Sequence, residues 1–159
     1  MNANEINEKL KSGFPEAVVE FKADAVTEPY IVVRPESVRD IAKFLASDPE
    51  LKFDYLMSLS GVDFNDGNIG VVYHLFSMEK RHRIVVKAKV SKENPEMPSV
   101  ESVWKSANWH EREAFDLFGI VFKDHPDLRR ILLPDDWEGY PLRKDYKVQE
   151  YYRGMKVPY

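Results

Sequence analysis

The central stretch of the sequence reads IGVVYHLFSM at residues 69–78, EKRH at 79–82 and RIVVKAKV at 83–90. The first run is apolar at most positions, which is typical of a central strand with both faces buried. The third run alternates apolar residues with Lys87 and Lys89, which indicates a strand with one buried face. The short link between them favours an antiparallel hairpin. These runs therefore predict the centre of a sheet.

The flanking regions add further strands and helices around this hairpin. Alternating or β-branched runs predict strands at 17–21, 29–33 and 53–60. Apolar residues at helical spacing, with capping residues beside them, predict helices at 4–12, 35–47 and 99–118. A polar, proline-containing linker occupies 92–99. The fold class predicted is α+β, an antiparallel sheet with helices packed on one face, within a domain of residues 1–122.

From residue 123 to 159 the helical and strand periodicities stop, and prolines recur. Regularly spaced prolines forbid a long helix and favour extended or turn conformations. The segment also carries too many large apolar side chains to stay solvated, with nearly balanced charges. We interpret it as an extended C-terminal arm, laid over its own domain or, as we favour, over a neighbouring subunit. The candidate interface residues, chosen as large or cationic anchors, are Arg130, Trp137, Tyr140, Arg143, Lys144 and Tyr146.

Composition excludes several classes of site. The chain has 159 residues and no cysteine, so disulfides, thiolate zinc sites and cysteine-ligated iron–sulfur clusters are absent. Its formal net charge of −4 argues against nucleic acid as a partner. We expect neither a secretory signal nor a membrane-spanning helix, because the N-terminus is polar and the apolar runs are short. A cytosolic chain that reaches a membrane only through a partner is the resulting expectation.

Glu111 lies in the middle of the apolar stripe of the predicted helix 99–118. A carboxylate there must be paired or protonated, since an unpaired buried charge costs several kcal/mol. It is either a catalytic acid or a structural ion pair, and we favour an ion pair with an arginine from the arm. The arginines available for this are Arg129, Arg130 and Arg143. Arg112 and Asp116, four residues apart, lie on the polar side of the helix and can pair there.

The pattern HERE at 110–113 resembles the start of a metalloprotease motif, but the second histidine that the motif needs is replaced by Ala114. We expect no metal site, and no glycine-rich phosphate loop or nucleophile elbow occurs in the sequence.

Four consecutive motifs resemble one protein family. They are WHERE at 109–113, DLFGI at 116–120, HPDLRRILLPDDW at 125–137 and PLRKDY at 141–146. Together they closely resemble the signature of the 30-kilodalton subunit of the proton-pumping NADH:quinone oxidoreductase, respiratory complex I. The sequence departs from the family at Asp124, where a glycine usually precedes the His-Pro pair.

The resemblance implies a non-catalytic subunit of the peripheral arm of that complex, on the cytoplasmic side of the inner membrane. Its partners would be the large quinone-site subunit and the small cluster-bearing subunit. It would bind no cofactor itself, while the complex carries NAD, FMN, iron–sulfur clusters and quinone. Its role would be to support assembly and the quinone site during electron transfer from NADH to quinone.

Two other functions remain open at this stage. The first is the equivalent subunit of a membrane-bound hydrogenase or of a ferredoxin- or deazaflavin-fed quinone oxidoreductase. The second, more remote, is a free-standing hydrolase that uses Glu111, Glu113 and Asp116 as acid and base groups.

Overall fold

The computed structural model describes residues 1–157. In that range the helices are α1 (Ala3–Gly13), α2 (Val38–Ser47) and α3 (Ala107–Phe118). The long strands are β1 (Val18–Lys22), β2 (Tyr30–Val33), β3 (Tyr55–Asp63), β4 (Asn68–Phe76) and β5 (Arg83–Ser91). The short strands are β6 (Glu96–Pro98), β7 (Val121–Lys123), β8 (Tyr151–Tyr152) and β9 (Met155–Lys156).

The main sheet has the strand order β1-β2-β5-β4-β3. The predicted hairpin of β4 and β5 is present and antiparallel, and β3 pairs with β4 in the same way. The all-antiparallel arrangement is wrong, however, because β2 lies parallel to β5. The chain leaves β2, crosses one face through α2 and returns through the β3–β4 hairpin before it reaches β5. Such a crossover allows parallel pairing, so the sheet is mixed within the predicted α+β class.

One face of the sheet carries the core, and all three helices pack there. The alternation predicted for β5 holds, since Ile84, Val86 and Ala88 point into this core. Leu10 of α1 and Leu45 of α2 complete it, each almost inaccessible to solvent. Burying a side chain of this kind contributes roughly 1.5–3 kcal/mol, so the helices are held to the sheet mainly by apolar contact.

Helix α3 is shorter than predicted, because residues 99–106 form turns before it begins. The Trp104 amide donates to the carbonyl of Val100, and the Ser99 hydroxyl is bonded to Glu111, so Ser99 does not cap the helix. At the other end Gly119 ends the helix in the left-handed conformation, with φ of 72°. The short strands β6 and β7 pair in parallel and bracket α3, so the predicted linker 92–99 contributes a strand.

The arm follows β7 without a long helix, as the prolines require. Residues 124–150 run as turns and irregular backbone across α3, and β8 and β9 then form a small hairpin. Residues 158 and 159 of the predicted arm lie outside the described residues.

Candidate interface of helix α3 and the C-terminal arm

Arg112 and Asp116 of α3 hold the arm by its backbone. Arg112 donates from Nε to the carbonyl of Arg129, at 3.2 Å, and from Nη2 to that of Arg130, at 3.1 Å. Asp116 Oδ2 accepts the next three backbone N–H groups, those of residues 131, 132 and 133, at 3.0, 2.7 and 2.9 Å. The cationic Arg112 thus binds two backbone carbonyls of the arm, and the anionic Asp116 binds the three backbone N–H groups that follow them. We call these two side chains the arginine–aspartate clasp.

Asp116 is fully buried and remains a carboxylate because of these partners. Burial alone would raise the pKa of Asp116, but the N–H groups and the guanidinium of Arg130 together hold it below its usual range. Arg130 Nη1 lies 2.8 Å from Oδ1, and its side chain is only 14% exposed. Arg112 and Asp116 therefore do not pair with each other, although their spacing on the helix allows it. Both side chains turn toward the arm, where backbone groups need partners.

Arg130, Tyr140 and Arg143 form a stack beside the end of α3. Arg130 Nη2 donates to the carbonyls of Trp137 and Gly139, at 3.0 and 3.2 Å. The guanidinium groups of Arg130 and Arg143 both lie over the ring of Tyr140, 5.4 and 4.7 Å from its centroid. Arg143 Nε also donates to the carbonyl of Phe118 at 2.7 Å, which satisfies one of the free carbonyls at the C-terminus of α3.

The remaining candidate interface residues also make contacts inside the chain. The backbone amide of Lys144 donates to Asp63 at the end of β3, at 2.9 Å. Trp137 Nε1 donates to the hydroxyl of Tyr146 at 3.2 Å. The Trp137 ring also lies 5.1 Å from that of Tyr152 in the hairpin of β8 and β9. Arg130, Arg143 and Lys144 thus bind groups of the domain. These contacts of Trp137 and Tyr146 lie within the arm itself. A role of the six residues in binding a neighbouring subunit stays a prediction.

Asp63 is the second acidic anchor of the arm. Its side chain is 2% exposed and lies 2.8 Å from Nζ of Lys92. Burial opposes its charge, but Lys92 and the amides of Lys144 and Asn65 lower the pKa of Asp63 to about 2. The carboxylate therefore ties the arm to the edge strand β3 and to the chain beyond β5.

Glu111 is completely buried, as its place on the apolar stripe predicts, but its partners are not arginines. Its Oε2 accepts from the Ser99 hydroxyl at 2.6 Å and its Oε1 from the Val100 amide at 2.7 Å. The expected ion pair is replaced because the arm arginines are bound elsewhere. Arg129 pairs with Asp127, Arg130 with Asp116, and Arg143 with the carbonyl of Phe118.

The surroundings of Glu111 favour its neutral form. Burial raises the pKa of Glu111 to about 7, although the bonds from Ser99 and Val100 favour the charged form and oppose the shift. The same burial, with Glu111 nearby, raises the pKa of Tyr73 well above its usual value. His125 Nε2 lies 3.9 Å from the carboxyl group, and both side chains are inaccessible to solvent.

His125 links this buried group to the start of the arm. Its Nδ1 accepts from the Asp127 amide at 3.0 Å, which leaves Nε2 to donate to the carbonyl of Asn108 at 3.1 Å. The residue before it, Asp124, has φ of 63°, a left-handed conformation that suits glycine. Arg39 of α2 lies 2.7 Å from the Asp124 carboxylate. The residue that replaces the usual glycine of the family therefore forms an ion pair with α2.

Beside the bound arm, a surface of α3 remains open to solvent. Its apolar members are Trp109, Leu132 and Leu142, which are 63%, 62% and 52% exposed. His110 and Glu113 lie between them and line the two adjoining grooves, one toward Leu132 and one toward Leu142. We call these five residues the α3–arm surface. Exposed apolar side chains grouped in this way are typical of protein–protein contact sites.

The acidic residues proposed for hydrolysis do not share an open cleft. Glu111 and Asp116 are buried under different partners, and only Glu113 is exposed. Within residues 1–157 no group of three or more histidine, aspartate or glutamate side chains is arranged to hold a metal ion. In the same range, none of the helices has the length and apolar character needed to cross a bilayer.

Fold and surface together define a class of protein: an α+β domain with a mixed sheet, whose last segment is bound across α3 and leaves an apolar surface beside it. Residues 31–152 match the model of the family described as "Respiratory-chain NADH dehydrogenase, 30 Kd subunit". The chain belongs to this family. The motifs at 109–146 that carry the resemblance lie in α3 and the arm, where the clasp and the arginine–tyrosine stack are found.

Curated relatives agree with this assignment. The chain is 50% identical over 151 residues to an NADH-quinone oxidoreductase subunit of Chloroherpeton thalassium, covering 94% of this chain and 63% of that protein. It is 49% identical over 152 residues to the subunit of the same name from Chlorobium phaeobacteroides, covering 94% and 92%. The chain thus spans a little under two thirds of the first relative and nearly all of the second.

Two solved structures share the fold. One is a trypsin-resistant fragment of Nqo5, with a TM-score of 0.65, 28% identity, and coverage of 80% of this chain and all of that one. The other belongs to the membrane-bound sulfane sulfur reductase, an archaeal respiratory membrane complex, with a TM-score of 0.72 and 26% identity. It covers 91% of this chain and 85% of that one.

Sequence reasoning missed Asp116, Arg112 and Asp63 as the anchors of the arm. Their partners are backbone N–H and C=O groups, which every residue type except proline supplies alike. No side-chain pattern therefore signals the contact.

Proposed function

We propose that this chain is a non-catalytic subunit of the peripheral arm of a proton-pumping NADH:quinone oxidoreductase. Family membership supports the complex, and the α3–arm surface supports a binding role. Trp109 and Leu132, each more than half exposed, are the residues on which the proposal rests most heavily. Aromatic and large apolar side chains of this kind supply most of the binding energy at interfaces.

In this proposal the chain binds the large quinone-site subunit, and with it the small cluster-bearing subunit, through the α3–arm surface. The clasp holds the arm in place, so the exposed side of Leu132 is presented by a preorganised backbone. Preorganisation lowers the entropy that binding must offset. The chain would thereby support assembly and keep the quinone site rigid while electrons pass from NADH to quinone.

The cofactors of the reaction, NAD, FMN, the iron–sulfur clusters and quinone, would be held by other subunits. The chain would reach the membrane only through the complex, on the cytoplasmic side. Catalytic residues are not assigned to it, since the buried carboxyl groups have structural partners within the domain.

A second function within the same superfamily is favoured by one observation. The likeness to the sulfane sulfur reductase complex extends over most of the chain, so a related subunit serves a complex with a different name and reaction. The chain could equally support a hydrogenase or a ferredoxin- or deazaflavin-fed oxidoreductase. The electron donor distinguishes these functions.

The experiment is purification of the native assembly through a tag on this chain, followed by identification of every chain that accompanies it. We expect the large and small partner subunits together with flavin- and NADH-binding subunits, and NADH-dependent reduction of quinone. A nickel-ligating large subunit would instead identify a hydrogenase. Recovery of the chain alone, from cells in which the complex is intact, would contradict a subunit function altogether.

A further inference from the structure

The strand β3 forms one edge of the main sheet, and its hydrogen-bonding groups on that side have no partner within residues 1–157. The ladder itself shows which groups these are. Phe64 donates to Asn68 at the turn between β3 and β4. In an antiparallel pair every second residue bonds to the partner strand, so the backbone N–H and C=O groups of residues 62, 60 and 58 bond to β4. Leu59 and Gly61 therefore point their N–H and C=O groups away from the sheet.

The other ladder of β4 gives the same result. Ser77 donates to His82 at the turn between β4 and β5, so the odd-numbered residues of β4 bond to β5 and the even-numbered ones to β3. In the part of the chain that the structure describes, no other backbone or side-chain group bonds to the outward groups of Leu59 or Gly61. Gly61 is partly exposed, and edge groups that are left unpaired and accessible are open to pairing with another strand.

A groove of about 320 Å³ lies directly beside this edge. It is lined by Leu59 and Gly61 of β3, by Leu117 of α3 and by Leu142 of the arm. Glu113 and His110 stand at its rim, so the groove opens onto the α3–arm surface. We call it the edge groove.

The two edges of the sheet are protected differently. The opposite edge, β1, has five residues and carries two charges, Glu20 and Lys22, which pair with each other. The edge strand β3 has nine residues, YLMSLSGVD, with no proline or lysine, and its one charged residue, Asp63, is buried. Its only irregularity is a register shift between Leu56 and Ser58. Long edges without charge or proline pair with other strands.

We propose that an extended segment of a neighbouring subunit adds to β3 as a sixth strand and lies in the edge groove. This inference rests on the proposed function, because it names how a partner of the same complex is bound. Backbone pairing would satisfy Leu59 and Gly61, and alternate side chains of the segment would enter the groove. The segment carries apolar side chains toward Leu117 and a lysine or arginine opposite Glu113.

The negative charge of Glu113 favours a segment of another subunit over a second copy of the chain as the added strand. Glu113 is exposed and belongs to no ion pair in residues 1–157. A β3 strand from a second copy brings no lysine or arginine to meet it. It would bring a second Glu113 toward the same seam instead. A segment from another subunit is free of this restriction.

The test uses the absence of cysteine in the chain, which makes any introduced thiol unique. Ser60→Cys places a thiol of similar size on the edge strand, and Ser12→Cys places one on the exposed end of α1 as the control. In the native complex we expect maleimide labelling of Ser60→Cys to be at least about tenfold slower than in the isolated chain. Labelling of Ser12→Cys stays unchanged. Equal rates for Ser60→Cys in an intact complex overturn the inference and leave the proposed function standing.

Amide hydrogen exchange separates strand pairing from simple covering. The amides of Leu59 and Gly61 exchange more slowly in the complex than in the isolated chain if a strand is paired with them. A covered thiol with unchanged exchange at both amides contradicts strand addition. Protection of both amides in the isolated chain, together with a dimeric mass, assigns the edge to a second copy and also overturns the inference.

The charge at the rim is tested by Glu113→Lys, with Glu16→Lys, on an exposed turn, as the matched control. We expect Glu113→Lys to lower the amount of this chain retained in the purified complex, because it repels the basic side chain of the segment. Retention equal to that of Glu16→Lys contradicts the basic character assigned to the partner. If neither variant nor the natural chain enters any complex, the proposed function itself fails.

Discussion

The Asp116 carboxylate accepts more hydrogen bonds than any other acidic side chain among residues 1–157. Three come from consecutive backbone N–H groups and one from the guanidinium of Arg130. We expect Asp116→Asn to lower the free energy of unfolding by about 3–5 kcal/mol, the range found when one partner of a buried pair is removed. The amide NH2 would face donors, and Arg130 would lose its counter-ion. Denaturant unfolding followed by fluorescence measures the change.

Asp127→Asn is the matched control for this prediction, since Asp127 forms an ion pair with Arg129 in the same arm but both side chains are more than half exposed. An exposed pair contributes about 0–1 kcal/mol, so the control should change stability little. Equal effects of the two substitutions would show that the clasp does not hold the arm.

Glu111 gives the chain a dependence of stability on pH. Its pKa is raised from 4.5 to about 7 in the folded protein, so the folded state keeps a proton that the unfolded state releases. The stabilisation is therefore complete below pH 4.5 and is lost as the pH rises through 7. A shift of this size corresponds to about 3 kcal/mol.

Glu111→Gln should remove this dependence, because glutamine has the same shape, stays neutral and can still accept the Val100 amide. Unfolding free energies of both proteins, measured from pH 4.5 to 8, should differ by an amount that grows in favour of the variant as the pH rises. Glu113→Gln, on the exposed side of the same helix, is the control and should follow the natural chain. Parallel curves for the natural chain and Glu111→Gln would contradict the assignment.

At the scale of elements, the end of α3 depends on close approach of the arm. Gly119 has a left-handed backbone, and a Cβ atom there would lie 2.5 Å from the ring of Tyr140 and 2.8 Å from Arg143. Gly119→Ala should therefore destabilise the protein by more than the roughly 1–2 kcal/mol of backbone strain alone. The contacts of the Tyr140 ring with Arg130 and Arg143 would also be displaced.

Gly67→Ala isolates the contribution of the backbone. Gly67 also has positive φ, 85°, but a Cβ atom there meets nothing within 4 Å. We expect thermal unfolding to shift clearly less for Gly67→Ala than for Gly119→Ala. Equal shifts would mean that the arm does not pack against the helix end in solution.

The elements also show what sequence patterns can and cannot predict. The alternation in β5 and the position of Glu111 on the apolar stripe predict burial correctly, since burial follows local periodicity. The parallel pairing of β2 with β5 and the start of α3 at Ala107 were not predicted. Both depend on contacts between distant residues, such as the bond from Ser99 to Glu111, which local patterns do not contain.

Local sequence patterns also cannot predict which residues of the candidate interface contact the domain and which contact a partner. Composition predicts that the arm covers apolar surface, but the choice between its own domain and a neighbour depends on where partners lie in space. Tyr140 and Arg143 are anchors within the chain, whereas Trp109, which the sequence did not single out as a contact residue, is among the most exposed large side chains. Residue type alone does not distinguish an internal anchor from an external one.

At the scale of the whole molecule, one face of the domain is closed by its own arm and one surface beside it stays apolar and open. The chain has a net charge of −4, yet the α3–arm surface contains only one formal charge, that of Glu113, at its centre. Depletion of charge in a patch with tryptophan and leucine is the pattern of an interface core. We therefore expect the chain to function only in association with another subunit.

The most direct measurement of this claim is the yield of complex recovered through a tag on the chain carrying Trp109→Glu and Leu132→Glu together. Val26→Glu, at a fully exposed apolar residue in a loop, serves as the control. We expect at least about a tenfold fall in yield for the double variant, equivalent to about 1.4 kcal/mol or more of binding energy. Folding and NADH oxidation per assembled complex should be unchanged. A double variant that folds normally and enters the complex as fully as Val26→Glu would contradict this claim.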